Sequence, residues 1–273
     1  MSDTVAVLVV GAHPDDAELT AGGFTSLTTA RGGRALHVAM TNGDKGHQLI
    51  GGGPLAQKRR DEATAAARAC GADAIVLDNH DGELLPTLEN RFALIRIMRE
   101  FRPDLVLFPR TNDYHPDHRN TAHIVQDALY MVRVPNVVPL TPPMAADPVA
   151  MYVSDAFRKP YPFEADAIVD IDAVVEQKLT AIGCHACQMF EWMPWVEWHI
   201  DLADVPADPA GRHEFLRARW DGRLRRDADR FRDQLVATYG PERGAKVVHA
   251  EAFELCELGA PLTPETRQRL FPV

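Results

Sequence analysis

The stretch Val5-Ala6-Val7-Leu8-Val9-Val10-Gly11 runs without a break into Ala12-His13-Pro14-Asp15-Asp16-Ala17-Glu18. An unbroken apolar run of this length reads as a buried strand. Directly beyond it, one imidazole and two adjacent carboxylates stand where the strand emerges into a loop. Open α/β proteins build their sites at that edge of the sheet. A second apolar run, Asp104-Leu105-Val106-Leu107-Phe108-Pro109, leads to His115-Pro116-Asp117-His118. Two strand ends that each carry His and Asp point to one metal site assembled from both.

The rest of the chain is consistent with that reading. Residues 4–10, 35–40, 74–77 and 104–108 read as strands, and 20–32, 55–70, 90–101 and 118–130 as the helices between and after them. This alternation predicts an α/β fold, a Rossmann-like three-layer domain with a mostly parallel central sheet. Pro135, Pro139, Pro142, Pro143 and Pro148 then break the rhythm. A loop as long as 134–148 is expected to serve function, and we read it as an active-site loop. Strand character resumes at 150–153 and 167–171. Asp172 could cap a helix over 173–190, a charged amphipathic helix follows at 211–239, and 250–255 reads as a last strand. Residues 1–273 read as a single domain with a helical C-terminal part.

Composition excludes several classes. The net charge is −10 without a long Lys/Arg block, which argues against a nucleic-acid partner. Arg223-Leu224-Arg225-Arg226 is flanked by acids and reads as a solvated helix face. No apolar run reaches the length of about 18 residues that suggests a membrane span. Met1-Ser2-Asp3-Thr4 is not basic, so a secretory leader is not expected and the cytoplasm is the expected compartment. Cys70 and Cys256 lie in apolar settings, and Cys184-His185-Ala186-Cys187 lies within a helical pattern with no second CxxC. Gly51-Gly52-Gly53 lacks the Lys-Ser/Thr ending of a phosphate loop.

Neutral imidazole and carboxylate are good Zn²⁺ ligands. A tight turn at Pro14 could aim His13 and Asp16 at one point. That leaves Asp15 beside the metal, free to take a proton from an activated water. Two ligands are too few, and His118 is the natural third, giving three protein ligands and an open position. The other imidazole, His115, would sit outside the metal's shell as an oxyanion stabiliser or acid, with Asp117 bonding its ring. From residues alone, the choice between His115 and His118 as ligand stays open. Fe²⁺ or Co²⁺ would fit the same donors.

At these residues the sequence resembles the LmbE-like family, which includes N-acetylglucosaminyl-phosphatidylinositol de-N-acetylases and bacterial thiol-pathway sugar deacetylases. Residues 12–18 match its A-H-P-D-D-x-E-like motif, and His115, Asp117 and His118 match its H-x-D-H-like motif. Thr41-Asn42-Gly43-Asp44, Arg59 with Glu62, Asp81-Gly82, Lys178 with His185 and Gln188, and Glu251-Ala252-Phe253 extend the likeness. The resemblance implies zinc held by His13, Asp16 and His118, with Asp15 as general base. It implies His115 as electrostatic and acid partner, oriented by Asp117. It implies an N-acetyl glucosamine-like sugar as substrate, and Arg59, Lys178, His185 and Gln188 are read as substrate-binding. Cys187 departs from the Ser that family members often carry there. The stretch Trp192–His199 is open to three readings: a sugar platform, a homo-oligomer interface, or core packing. Two further functions compete: an amidase acting on a larger N-acyl conjugate, and a metal-binding module without turnover.

Overall fold

The structure, a computed structural model, describes residues 4–272. Its centre is a sheet of seven strands in the order β3-β2-β1-β4-β5-β7-β6. These are β1 (Ala6–Gly11), β2 (Arg34–Thr41), β3 (Asp73–Asn79), β4 (Leu105–Phe108), β5 (Val149–Val153), β6 (Ala167–Asp170) and β7 (Ala250–Leu255). The first five are parallel, and β7 runs antiparallel to both its neighbours. The mixed α/β class with a mostly parallel sheet is the one expected from the sequence.

The apolar run of β1 is unbroken because both of its faces are covered. Leu8 and Val10 join one core with Val106, Phe108 and residues of α3 (Leu88–Phe101) and α4 (Pro116–Met131). Val7 and Val9 join the opposite core with Leu105, Leu107 and Ala17, Ala21 and Phe24 of α1 (Asp16–Ala30). Successive side chains of a strand point to opposite faces, so no polar position is left over. The chain leaves β1 toward β2 on one side, whereas β4 lies on the other. The gap beyond their carboxyl ends is therefore the topological switch point, where open α/β sheets bind ligands.

Several elements differ from expectation. Helix α1 begins at Asp16, not at residue 20, so Asp16 and Glu18 lie in its first turn. Carboxylates are favoured there by the helix dipole. The helix expected over 173–190 is interrupted. After a 3₁₀ turn, α5 (Val175–Cys184) ends at His185, whose ψ of 60° leaves the helical region, and a π-helical turn follows at Gln188–Trp192. A short helix α6 (Met193–Val196) then leads to α7 (Pro209–Arg230), which is separated from α8 (Arg232–Tyr239) at Phe231. A single turn α9 (Pro241–Gly244) precedes β7, and α10 (Pro264–Leu270), capped by Thr263, was not foreseen. No helix among the described residues is long and apolar enough to cross a membrane.

The proline-rich segment is the clearest correction. Helix α4 starts at the carboxyl edge of the sheet and runs to the opposite edge, where β5 begins at Val149. Residues 134–148 therefore lie at the far end from the site and contribute nothing to its lining. They are held there by Arg99, which is 2% exposed. Its Nε donates to the carbonyl of Val132, its Nη1 to Val137, Val138 and Thr141, and its Nη2 to Met131 and Val134, all at 2.6–3.0 Å. One guanidinium thus caps the end of α4 and fixes the loop.

Candidate metal centre and active site

Asp16 turns back beneath the end of β1. Its Oδ2 accepts the backbone N–H of Ala12 at 2.7 Å and of His13 at 2.8 Å. The turn is possible because residue 11 is glycine; a Cβ there would stand 2.5 Å from the Cβ of Asp16. Burial opposes ionisation of Asp16, but His118, His13 and the two N–H groups together hold its carboxyl below the usual range.

Three donor atoms converge at this point. His13 Nδ1 lies 3.7 Å from Asp16 Oδ2, His118 Nε2 lies 3.5 Å from the same oxygen, and the two nitrogens are 3.3 Å apart. Ligands about 2.0–2.1 Å from a tetrahedral ion are separated by about 3.3–3.4 Å. The triangle is thus close to one face of such a shell, and all three residues line one cleft. His115 is a near rival, since its ring lies with those of His13 and His118 in a group whose nitrogens fall within 4.8 Å.

The other ring nitrogens show which lone pairs are free. His13 Nε2 sits 3.3 Å from Asp117 Oδ2 and 3.2 Å from Asp81 Oδ1. A carboxylate only accepts, so Nε2 carries the proton and Nδ1 faces the triangle with its lone pair in the neutral ring. His118 Nδ1 donates to Asp113 Oδ1 at 3.0 Å, which turns its Nε2 inward in the same way. Burial disfavours a charged His13, yet Asp117, Asp81 and Asp16 pull its pKa up to about 10. Asp81 is buried against ionisation but is lowered to about 2 by His13 and Arg59.

Asp117 corrects an expectation. Its carboxylate does not bond the His115 ring; it accepts from His13 Nε2 and from the backbone N–H groups of Gly82 and Leu84. Asp117 supports His115 through its backbone instead, whose N–H donates to His115 Nδ1 at 3.2 Å, the capping bond of α4. A neutral His115 therefore keeps its proton on Nε2. Burial, reinforced by His13 and His118, holds its pKa below the ordinary value.

Asp15 stands beside the triangle with φ 149°, a conformation that costs a non-glycine residue about 1–3 kcal/mol. Its Oδ2 accepts from Arg59 Nη2 at 3.0 Å. The guanidinium also donates to the carbonyls of Pro14 and Gly43. Gly43 has φ +68°, and a Cβ on it would stand 2.4 Å from that guanidinium. Burial raises the pKa of Asp15, Arg59 opposes this, and Asp16 adds to the rise.

A cleft of about 570 Å³ opens over these groups. Its inner wall includes His13, Asp15, Asp16, Arg59, Asp81, His115 and His118; its outer wall includes Tyr114, Gln188, Trp192, Met193, Val196, Glu197 and Arg223. Of the four residues read as substrate-binding, Arg59 and Gln188 line it. Lys178 and His185 do not. Lys178 is buried in an ion pair with Glu251 at 2.5 Å, whose carboxylate also takes the N–H groups of Gly23 and Phe24. His185 is wholly buried, with Nε2 3.0 Å from Glu18 Oε2, while Glu18 Oε1 meets His37 Nδ1 at 2.6 Å. Glu62 pairs not with Arg59 but with the N–H and thiol of Cys187. The Trp stretch divides: Trp192 stacks on Trp195 at the cleft mouth, whereas Trp198 packs inward against Phe215. Asp113 was missed as a site residue, whereas Asp81 was noted both with the match at Asp81-Gly82 and, with His80 and His123, as a residue able to supply an extra metal ligand. Asp113 lies in the loop between β4 and α4, and an acid there was the available signal.

Residues 8–129 match the family model described as GlcNAc-PI de-N-acetylase. The chain is 30% identical to a diacetylchitobiose deacetylase of Thermococcus kodakarensis over 71% of its own length and 74% of the relative's. It is also 30% identical to a 4-oxalmesaconate hydratase of Pseudomonas putida, over 68% of this chain and 75% of that one. Among solved structures, an N,N'-diacetylchitobiose deacetylase from Pyrococcus horikoshii superposes with a TM-score of 0.71 at 25% identity, covering 94% of this chain and 85% of the other. By sequence and by fold, the chain belongs to the GlcNAc-PI de-N-acetylase family.

Proposed function

We propose that this protein is a zinc-dependent hydrolase that removes an N-acetyl group from a glucosamine-like sugar or sugar conjugate. The observation that carries this reading is the triangle of His13 Nδ1, Asp16 Oδ2 and His118 Nε2, with Asp15 lining the same cleft. His118 is favoured over His115 as the third ligand because its Nε2 lone pair points inward while Asp113 holds its Nδ1–H. When bound, the zinc would supply Lewis acidity toward the acyl oxygen and lower the pKa of a water.

The chain's own groups would do the rest. Asp15, with its proton affinity raised by burial, takes a proton as water adds to the acyl carbon. His115 Nε2–H donates to the developing oxyanion, and the N-terminus of α4 adds a favourable dipole. Asp15 then returns the proton to the sugar nitrogen, the C–N bond breaks, and acetate and amine result. Arg59 holds the Asp15 carboxylate in place throughout.

The hydratase relative suggests another chemistry, but the cleft is poorly suited to a substrate with several carboxylates. Its cations are already engaged: Arg59 with Asp15, Lys45 with Glu83, Arg223 with Glu197. A module that merely holds metal has no use for Asp15 in a strained backbone. The test is amine release from a panel of N-acetylated sugars by zinc-loaded protein, with Asp15→Ala alongside. Release that vanishes in the variant, with zinc retained, supports the reading. No release from any member, with zinc bound, would overturn it.

A further inference from the structure

One wall of the cleft is built from two segments far apart in sequence. Segment 42–51, the irregular stretch between β2 and α2 (Gly52–Ala69), brings Lys45 and Gly46 to the lining. The π-helical turn Gln188–Trp192 brings Gln188 and Trp192. Such turns are rare and occur mostly at functional sites. Gly46 reaches deep into the site: a Cβ on it would stand 3.2 Å from Arg59 Nη1 and 3.3 Å from Asp81 Oδ2. The segment therefore packs directly on the groups that hold Asp15 and His13.

Polar contacts staple the two segments together. Gln188 Nε2 donates to the carbonyl of Gly46 at 2.8 Å. Next in sequence, the imidazole of His47 is 2% exposed, and its Nδ1 accepts the backbone N–H groups of Leu49 at 3.1 Å and Ile50 at 3.3 Å. That leaves the ring proton on Nε2, which donates to Glu191 Oε2 at 3.0 Å. Glu191 Oε1 accepts from Lys58 Nζ of α2 at 2.8 Å. Burial opposes ionisation of Glu191, but Lys58 and His47 hold its carboxyl below the usual range. Glu191 is thus the point where the π turn, segment 42–51 and α2 meet, while its neighbour Trp192 lines the cleft. Leu49 and Ile50 are exposed and give the segment little apolar anchorage, so these few polar contacts carry its position.

We propose that Glu191 is a positioning residue that holds segment 42–51 as a wall of the cleft, and so sets affinity for the sugar without entering the chemistry. The inference rests on the hydrolase reading above. Glu191 does not line the cleft, so it acts only through the residues it holds. Once the segment is released, the closed wall is one arrangement among several. Apparent affinity then falls with the fraction of molecules that keep it. The reacting groups stay in place, because Arg59 Nη2 still bonds Asp15 and the Pro14 carbonyl, and Asp16 and His118 keep their own partners. A loss of this kind raises KM and leaves kcat.

The experiment compares zinc-loaded wild type, Glu191→Ala and Glu191→Gln. The glutamine keeps an oxygen for the His47 Nε2–H, and the alanine keeps none. Hydrogen exchange at the amides of Leu49 and Ile50 is read without substrate. In parallel, kcat and KM are measured for N-acetylglucosamine and its β-methyl glycoside. Exchange in Glu191→Ala should quicken about tenfold or more, since two charge-assisted hydrogen bonds are lost. Its KM should rise about tenfold, with kcat within about twofold of wild type and zinc content unchanged. Glu191→Gln should recover most of both changes. His47→Ala should mimic Glu191→Ala, and the pair together should cost little more than either alone, because they break one staple. If exchange quickens but KM does not move, or kcat falls in its place, the proposal is overturned and the hydrolase reading stands. If no sugar is hydrolysed, the hydrolase reading falls, while exchange that quickens with alanine and recovers with glutamine keeps Glu191 as the residue that holds the wall. Exchange unchanged in Glu191→Ala overturns the proposal whether or not turnover is seen.

Discussion

The two edges of the central sheet handle buried charge in opposite ways. At the amino edge Arg99 is surrounded by carbonyl dipoles of one loop and one helix end, and its donors are used locally. At the carboxyl edge His13, Asp15, Asp16, Asp81, Asp117 and His118 crowd together, and the backbone at Asp15 is strained. A charge that is saturated by neutral dipoles stabilises a fold and offers nothing to a ligand. Charges that lean on one another leave a coordination corner and a proton acceptor exposed to a cleft. Removing groups at the two edges should therefore hit different observables.

The largest effect is expected at Asp15. Asp15→Ala should lower kcat by about 10²–10⁴-fold, the span of a general base. Zinc content should stay near that of wild type, because the residue lies outside the triangle. Loss of metal in that variant would instead make Asp15 a ligand and break the contrast on the carboxyl side. At the other edge, Arg99→Met should cost about 3–5 kcal/mol in a urea melt, since several carbonyls lose their donor in a buried setting. The folded fraction should keep wild-type kcat/KM. A cost under about 1 kcal/mol would mean that water replaces the guanidinium and that the loop is not held as described.

Asp117→Asn should act on neither turnover nor fold first, but on the metal. It weakens the acceptor for His13 Nε2–H, and such changes typically lower metal affinity by about 10–100-fold. Competition with a chelating dye would measure this. Unchanged affinity would mean that Asp81, on the same nitrogen, suffices to orient the ring.

The carboxyl edge was the more legible of the two, and its residue types explain why. A buried parallel strand needs a continuous apolar run, so β1 and β4 stand out, and His or Asp directly after such a run has few structural reasons to be there. The partners of the helical layer's polar side chains were not legible. Lys178 and His185 have the residue types of a substrate grip, yet Glu251 and Glu18 claim them, and nothing in local spacing joins residue 178 to 251. The break at His185 was hidden for the same reason, because its ring is drawn to a glutamate on another helix. The proline loop was misplaced because length and proline content mark a loop without saying which edge of the sheet it serves. Only the direction of α4 decides that. Arg99, in an ordinary amphipathic helix, gave no sign that it would fix this loop.

A pH dependence separates the two edges without a substitution. In metal-free protein the carboxylates around His13 hold its pKa near 10, so at neutral pH the ring is doubly protonated. A metal needs the Nδ1 lone pair and must displace one proton there. The free protein thus binds more protons than the loaded one, and apparent affinity must rise with pH. His13 alone sets a slope of about tenfold per pH unit until its own pKa is passed, and His118, also raised, steepens it above its ordinary value. Calorimetric titration of zinc in two buffers of different ionisation enthalpy at pH 7 should therefore report release of about one proton or more. A flat dependence would mean that His13 enters as a neutral ring, and that Asp81 and Asp117 orient it without holding an extra proton. The contribution of Arg99 to stability should not change over the same range, because a guanidinium keeps its charge and carbonyls do not titrate.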